Sequence, residues 1–185
     1  QPFVKSLMVQ IGEIASKQKK KAYAVGGAVR DVFIGKELKE IDIMVIGDGI
    51  EFAKVVAKQM GVPKIVPFHR FSTAHIPSRP IPIEIAAARK ETYSKDSRKP
   101  NKVTYTNLEG DLLRRDFTVN AMAVDLLPDN FGILYDPYNG LKDLLSKQLI
   151  TPMDPDETFS DDPVRMMRAA SVSYTHLTLP TSSQG

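Results

Sequence analysis

A short apolar run, Ala22-Tyr23-Ala24-Val25, ends in Gly26-Gly27 and leads into Val29-Arg30-Asp31-Val32-Phe33-Ile34. The run is of strand type, and the segment after the glycines starts a helix. Further on, Ile41, Ile43 and Val45 alternate with Glu40, Asp42 and Met44, the period of a second strand. Strand, glycine turn, helix and strand in this order predict an α/β layer structure.

The same residues carry chemistry. Glycines between a strand and a helix let backbone N–H groups approach an anion, and a helix N-terminus favours negative charge. Arg30 adds a planar, permanently charged guanidinium for phosphate oxygens. The spacing is neither a Walker loop nor G-x-G-x-x-G, and a glycine pair after a strand is also an ordinary turn. On a strand, Glu40 and Asp42 share one face while the isoleucines pack on the other. Their repulsion is relieved by a divalent cation. Oxygen ligands, with no Cys and no clustered His, point to magnesium or manganese rather than zinc. A third acid, Glu84, interrupts the apolar run Ile81-Pro82-Ile83-Glu84-Ile85-Ala86. It is either the wet face of an edge strand or a partner of the first two acids.

At 185 residues and 42% hydrophobic content the chain has room for one full domain with a sizeable core and part of another. It has no cysteine and no run approaching the roughly 18–20 apolar residues of a membrane span, and no secretory leader is expected. The expectation is a cytoplasmic protein. The net charge of +3 permits a nucleic-acid partner without demanding one.

Residues 3–18 read as an amphipathic helix with Phe3, Leu7, Ile11 and Ile14 on one face, followed by Lys17, Lys19, Lys20 and Lys21. The lysines read as a solvated helix end, with an RNA contact as the minority reading. A strand over 41–46, a cap at Gly47-Asp48-Gly49 and a helix from Ile50 to Met60 follow, with Phe52, Val55, Val56 and Met60 facing in. Strands are expected near 64–67, 73–76 and 82–87, in a mixed sheet. Residues 89–102 carry six Lys and Arg among polar residues and read as a mobile basic loop, with Tyr93 and Tyr105 as candidates to stack on bases.

In Arg114-Arg115-Asp116-Phe117 an arginine pair abuts an acid at an expected helix start. This is a buried ion pair, a triphosphate clamp, or both. The segment 122–150 predicts a strand, a turn at Asp136–Gly140, a helix and a last short strand. Asp161-Asp162-Pro163-Val164-Arg165 reads as a capped helix entry with Pro at N1, and Asp162, Arg165 and Arg168 share one face. Ser171–Gly185 holds no Lys, Arg, Asp or Glu in a chain that is 25% charged. It reads as unstructured, and as foreign in origin, of the kind a frameshift leaves.

These motifs, in this order, resemble the bacterial-type tRNA nucleotidyltransferase/poly(A) polymerase family, the CCA-adding enzymes most of all. The family's G-G-x-V-R-D falls on Gly26–Asp31, its D-x-D on Glu40-Ile41-Asp42 and its R-R-D-F-T-x-N-A on Arg114–Ala121. Its D-P-x-x-G-x-x-D-L falls on Asp136–Leu144 and its E-D-P-x-R-x-x-R-A on Asp161–Ala169. The resemblance implies an α/β (α+β) nucleotidyltransferase head of the DNA polymerase beta type, with a mixed sheet and flanking helices, over 1–150. It implies the start of an all-α neck over 151–170, before the tail at 171–185.

The activity implied is template-independent addition of CMP and AMP, from CTP and ATP, to the 3′ end of tRNA with magnesium or manganese. By position, Gly26, Gly27 and Arg30 contact the nucleotide, Glu40 and Asp42 bind metal, and Glu84 activates the 3′-hydroxyl. Arg115 also binds nucleotide, Asp162 and Arg165 read the base edge, and Arg168 completes the pocket. A poly(A) polymerase, a CC- or A-only enzyme and a catalytically weak RNA-binding relic stay open as alternatives.

Three positions depart from the family pattern. Glu40 replaces Asp, which moves the carboxylate by about 1.5 Å and implies reduced or manganese-biased activity. Ser72 stands where Gly is usual, and Ser171 where another Arg is expected. The chain reads as an amino-terminal fragment lacking the domains that hold tRNA.

Overall fold

Alternating side chains decide the architecture. The computed structural model describes residues 1–94 and 97–173, with the side chains of 91–103 and of Asp161 outside that description. Strands β1 (Ala22–Val25), β2 (Ile41–Val45), β3 (Val66–Phe68), β4 (Thr73–Ile76), β5 (Ile83–Ala87), β8 (Ala123–Asp125) and β9 (Leu134–Tyr135) form one sheet in the order β3-β4-β5-β2-β1-β8-β9. β2 and β5 pair in parallel and the other neighbours antiparallel, so the sheet is mixed as expected.

One face of the sheet is the core. Ile41, Ile43, Val45, Ile83 and Ile85 pack with Leu7, Ile11 and Ile14 of helix α1 (Pro2–Lys17) and with Phe52 and Val56 of helix α3 (Gly49–Gln59). Each such side chain contributes roughly 1.5–3 kcal/mol when fully buried. Two glycines let these helices lie close. A Cβ on Gly12 would fall 1.7 Å from the Leu126 carbonyl oxygen, and one on Gly49 2.2 Å from that of Ser72. The Asp48 carboxylate caps α3 by accepting from the Ile50 and Glu51 amides at 2.9 and 3.1 Å. The other face carries a smaller apolar cluster, Tyr23, Val25, Met44, Leu112 and Ala123, and beside it lie the candidate acids.

Several expectations shift. Phe3 is half exposed, and Val4 takes the inward position on α1. The basic segment is not a loop: β6 (Arg89–Ser94) and β7 (Ser97–Tyr105) form a separate two-stranded antiparallel hairpin. Its lysines, arginines, serines and asparagine give no apolar alternation from which strands could be read. The Tyr93 side chain lies outside the described residues.

The arginine pair ends helix α4 (Leu108–Leu113) rather than starting one, and a 3-10 turn over Thr118–Asn120 follows. The second strand of 122–150 is β9, before the turn. Among the described residues none follows helix α5 (Gly140–Leu145). Helix α6 (Pro155–Asp161) leads into α7 (Val164–Val172), which takes in Ser171 and Val172 of the expected tail. Residues 174–185 lie outside the described residues. Among those described, no helix is long and apolar enough to cross a membrane.

Ser72 adopts a left-handed backbone, φ 45°, which explains why glycine suits the position. Its hydroxyl accepts from the Gly49 amide at 3.0 Å and donates to Asp48 at 3.2 Å, offsetting that strain. The lysines Lys17–Lys21 precede β1, whereas the glycine turn follows it. They stand at the opposite end of that strand, about 16 Å or more away along it.

Candidate active site

Local backbone places the phosphate-type groups. Gly26, with φ +68°, ends β1 and opens helix α2 (Gly27–Phe33). A Cβ there would lie 2.8 Å from Arg115 Nη1 and 3.8 Å from Asp42 Oδ2, so Gly26 is the floor on which a guanidinium and a carboxylate meet. Arg30 is 7% exposed. Its Nε donates to Asp31 at 2.9 Å and its Nη1 to Asn120 Oδ1 at 2.5 Å.

Tertiary pairing assembles the acids. β2 begins at Ile41, so Glu40 sits one residue ahead of the strand rather than on it, exposed. Asp42 is in parallel register with Glu84, whose strand lies between β2 and β4 and is not an edge. Glu84 is both solvent-exposed and beside Asp42, which unites the two readings of it. Burial, then repulsion from Glu40 and Glu84, pushes the Asp42 carboxyl up to about 6, against the pull of Arg115 and Arg30.

The arginine pair answers to a different acid from the one expected. Asp111, 1% exposed, receives Arg114 on Oδ1 at 2.7 Å and Arg115 on Oδ2 at 2.9 Å. It also accepts from the Arg89 amide at 3.1 Å. Burial would raise this carboxyl, but Arg115 and Arg114 outweigh it and hold it below the usual range. Asp116 instead accepts from Asn120 Nδ2 at 3.1 Å and from the Phe117 amide at 2.9 Å. Its Oδ2 lies 2.9 Å from Arg168 Nε, an ion pair without hydrogen-bond geometry. Asp31, Arg30, Asn120, Asp116 and Arg168 therefore form one chain of contacts from α2 to α7.

A cavity of about 600 Å³ is lined by all ten sequence candidates: Gly26, Gly27, Arg30, Glu40, Asp42, Glu84, Arg115, Asp162, Arg165 and Arg168. Asp162 Oδ1 accepts from the Val164 amide at 3.1 Å and so caps α7. Pro163 already has helical dihedrals at the helix entry. Arg165 donates to the carbonyls of Thr158 and Arg114 at 3.3 and 3.0 Å, which aims it from α7 toward the head. Ser171, in place of the family's arginine, lines the same cavity one turn beyond Arg168. Asp111, Asn120 and Arg89, which are not among the candidates from sequence, also line it. Asp111 was findable: it stands three and four residues before the two arginines, the spacing at which helical side chains meet.

The polar lining joins guanidiniums to carboxylates around a glycine turn, which suits a phosphorylated substrate. Residues 22–150 match the poly A polymerase head domain. The chain belongs to this family. An A-adding tRNA nucleotidyltransferase of Aquifex aeolicus is 44% identical over 149 residues, 80% of this chain and 18% of that protein. A CCA-adding enzyme of Anoxybacillus flavithermus is 37% identical over 150 residues, 80% of this chain and 35% of that protein. The chain thus spans well under half the length of these relatives. A crystal structure of a tRNA nucleotidyltransferase complexed with a primer tRNA and an incoming ATP analog superposes with a TM-score of 0.76 at 38% identity. It covers 88% of this chain and 44% of that one. The head-domain fold expected from the motifs is thereby shown.

The donor set fits a hard divalent cation. Asp42 and Glu84, paired in register, and Glu40 beside them all offer oxygen. Among the described residues, no three His, Asp or Glu side chains are gathered to cage an ion by themselves. Magnesium characteristically uses one or two carboxylates and takes its other ligands from phosphates and water.

Proposed function

We propose that this chain is the catalytic head, with the first helices of the neck, of an enzyme that adds CMP and AMP to the 3′ end of tRNA. Residues 1–150 form the head and 151–170 the start of the neck. The observation that carries the reading is the meeting of Glu40, Asp42 and Glu84 with Arg30, Arg115, Asp162 and Arg165 around one cavity.

Gly26 and Gly27 present backbone to the triphosphate, and Arg30 and Arg115 neutralise its oxygens. Both guanidiniums are held beforehand, Arg30 by Asp31 and Asn120 and Arg115 by Asp111, so little ordering is needed when the nucleotide arrives. Glu40 and Asp42 would hold magnesium, which when bound offsets triphosphate charge and acidifies the RNA 3′-hydroxyl. Glu84 accepts the proton of that hydroxyl. The 3′-oxygen bonds to the α-phosphorus, the bond to the β-phosphate oxygen breaks, and pyrophosphate leaves. Asp162 accepts from the amino group of cytosine or adenine, while Arg165 donates to the adjacent ring nitrogen. Protein side chains thereby do the work of a template.

The test supplies the protein with tRNA lacking its last three nucleotides, and separately with tRNA ending in CC, together with CTP and ATP. CMP incorporation before AMP is the expected result. Transfer of AMP alone, confined to the CC-ended tRNA, supports an A-only enzyme, the reading favoured by the Aquifex relative. ATP-only extension of general RNA would mark a poly(A) polymerase. RNA binding without turnover would mark the non-catalytic relic, and no transfer to any RNA sinks the proposal.

Two variants refine it. Asp162→Asn keeps the cap on α7 but exchanges an acceptor for an amide. It is expected to lower discrimination for ATP and CTP over GTP and UTP by about 1–3 kcal/mol, the scale of a paired base-edge contact, read by competitive filter binding. Glu40→Asp is expected to raise magnesium-supported turnover about tenfold and to lower the manganese-to-magnesium activity ratio. Equal turnover in both variants of position 40 would show that the longer carboxylate costs nothing.

A further inference from the structure

The face of the sheet that carries the acids continues past them to the edge. β2, β5, β4 and β3 are neighbours in that order, and opposite residues share a face. One row runs Asp42, Glu84, His75, Val66, and the next runs Met44, Ala86, Thr73, Phe68. In the second row Met44 is 1% exposed, Ala86 is half-buried, Thr73 is 6% exposed and Phe68 49%, so it is covered at Thr73 and open at Phe68. Val66 is also 49% exposed, and His75 is half-buried beside Glu84. Cations border the strip. Arg89 lies 4.9 Å over the Phe71 ring and donates to Thr73 Oγ1 at 3.1 Å, and Arg70 lies 5.5 Å from the same ring.

We propose that this strip, from His75 to Phe68, seats the unpaired 3′-terminal nucleotides of the acceptor RNA. The inference rests on the nucleotidyl-transfer reading above. Gly26, Gly27, Arg30 and Arg115 stand on the β1 side of Asp42, so the triphosphate lies there. In-line displacement brings the attacking oxygen from the other side, where Glu84 stands. An RNA whose 3′-oxygen reaches Glu84 has its preceding nucleotides over β4 and β3. Those strands offer what single-stranded RNA binds: the exposed ring of Phe68 for a base, the His75 imidazole for a 2′-hydroxyl, and guanidiniums alongside for phosphates. Stacking on Phe68 is tolerant of base identity, as suits a strip that grips whichever nucleotide was added last.

The test irradiates the protein, with a non-hydrolysable ATP analogue present, with a tRNA acceptor-stem RNA carrying 4-thiouridine next to its 3′-terminal residue. Crosslinked peptides are then mapped by mass spectrometry. Crosslinks are expected within residues 66–75. Phe68→Ala and His75→Ala are each expected to weaken binding of this RNA about five- to tenfold, with ATP affinity changed less than twofold. Phe68→Trp, which keeps a stacking face, is expected to restore it. Both alanine variants change residues that are exposed or half-buried, and circular dichroism melts confirm that they fold. Crosslinks confined to Lys17–Lys21 or to the loop at Lys36–Lys39, none at all, or unchanged RNA affinity in both alanine variants overturns the proposal. Transfer by the wild type with crosslinks elsewhere removes the strip alone. A wild type that transfers nothing removes the reading of the site and the strip together.

Discussion

Asp42→Asn is expected to abolish nucleotide transfer and to stabilise the fold. The loss should be about a thousandfold or more in kcat, if Asp42 is one of the two carboxylates that hold magnesium as proposed. The gain follows from linkage. The Asp42 carboxyl sits at about 6 in the folded chain against an ordinary 3.8, so between those values the folded state binds the extra proton. Its stability falls as pH rises through that window and stays reduced above it, by up to about 3 kcal/mol at neutral pH. Asparagine carries no such cost. The difference in Tm between variant and wild type, in EDTA, should be small at pH 4.5 and grow toward pH 7.5. Magnesium should then narrow it by stabilising only the wild type. A difference in Tm that is flat across this range would show that burial and the neighbouring acids do not raise the Asp42 carboxyl as described.

Asp111→Ala is expected to have the largest effect on stability. It removes a carboxylate that is 1% exposed and leaves Arg114 and Arg115 without the partner both share. Breaking a buried pair from one side costs about 3–5 kcal/mol, a large fraction of the roughly 5–15 kcal/mol that keeps a domain folded. The sign in acid runs opposite to that of Asp42. The Asp111 carboxyl is held below the ordinary range, so its stabilisation is complete above that range and is lost as pH falls through the lowered value. Urea melts of the wild type and of Asp111→Asn, which keeps shape and one acceptor, should diverge at neutral pH and converge in acid. If they differ equally at every pH, the charge on Asp111 is not what holds the arginines. A conservative probe of the same contact is Arg115→Lys. It should fold and yet bind ATP more weakly, because an ammonium does not reproduce the planar contact with Asp111 beneath a triphosphate.

What was legible along the chain is what local geometry repeats. Ile41, Ile43 and Val45 name the buried face of a strand by their period alone, and Asp48 names the start of α3 by its cap. The glycines at 26 and 27 announce a close approach: a Cβ on Gly26, whose φ is +68°, would fall 2.8 Å from Arg115, and one on Gly27 3.3 Å from Arg30. Asp162, Arg165 and Arg168 share a helical face by their spacing, and all three line the cavity. The β6–β7 hairpin was not legible, since its pairing is made by backbone groups and its residues show no apolar alternation in sequence. The end of α7 was misplaced for a related reason: loss of charge after Ala170 does not stop backbone hydrogen bonding, and the helix continues to Val172.

The sequence by itself determined which residues carry charge, which turn needs glycine and which faces are apolar, because these depend on neighbours a few positions away. Tertiary structure alone decided that Glu84 lies beside Asp42, through the parallel register of β2 with β5. It also decided that Asp111 rather than Asp116 holds the arginine pair, and that Asn120 and Asp116 join Arg30 to Arg168. The physical reason is the same in each case. A carboxylate's partner is set by distance in space, and strand register and helix packing bring together groups that no local period relates.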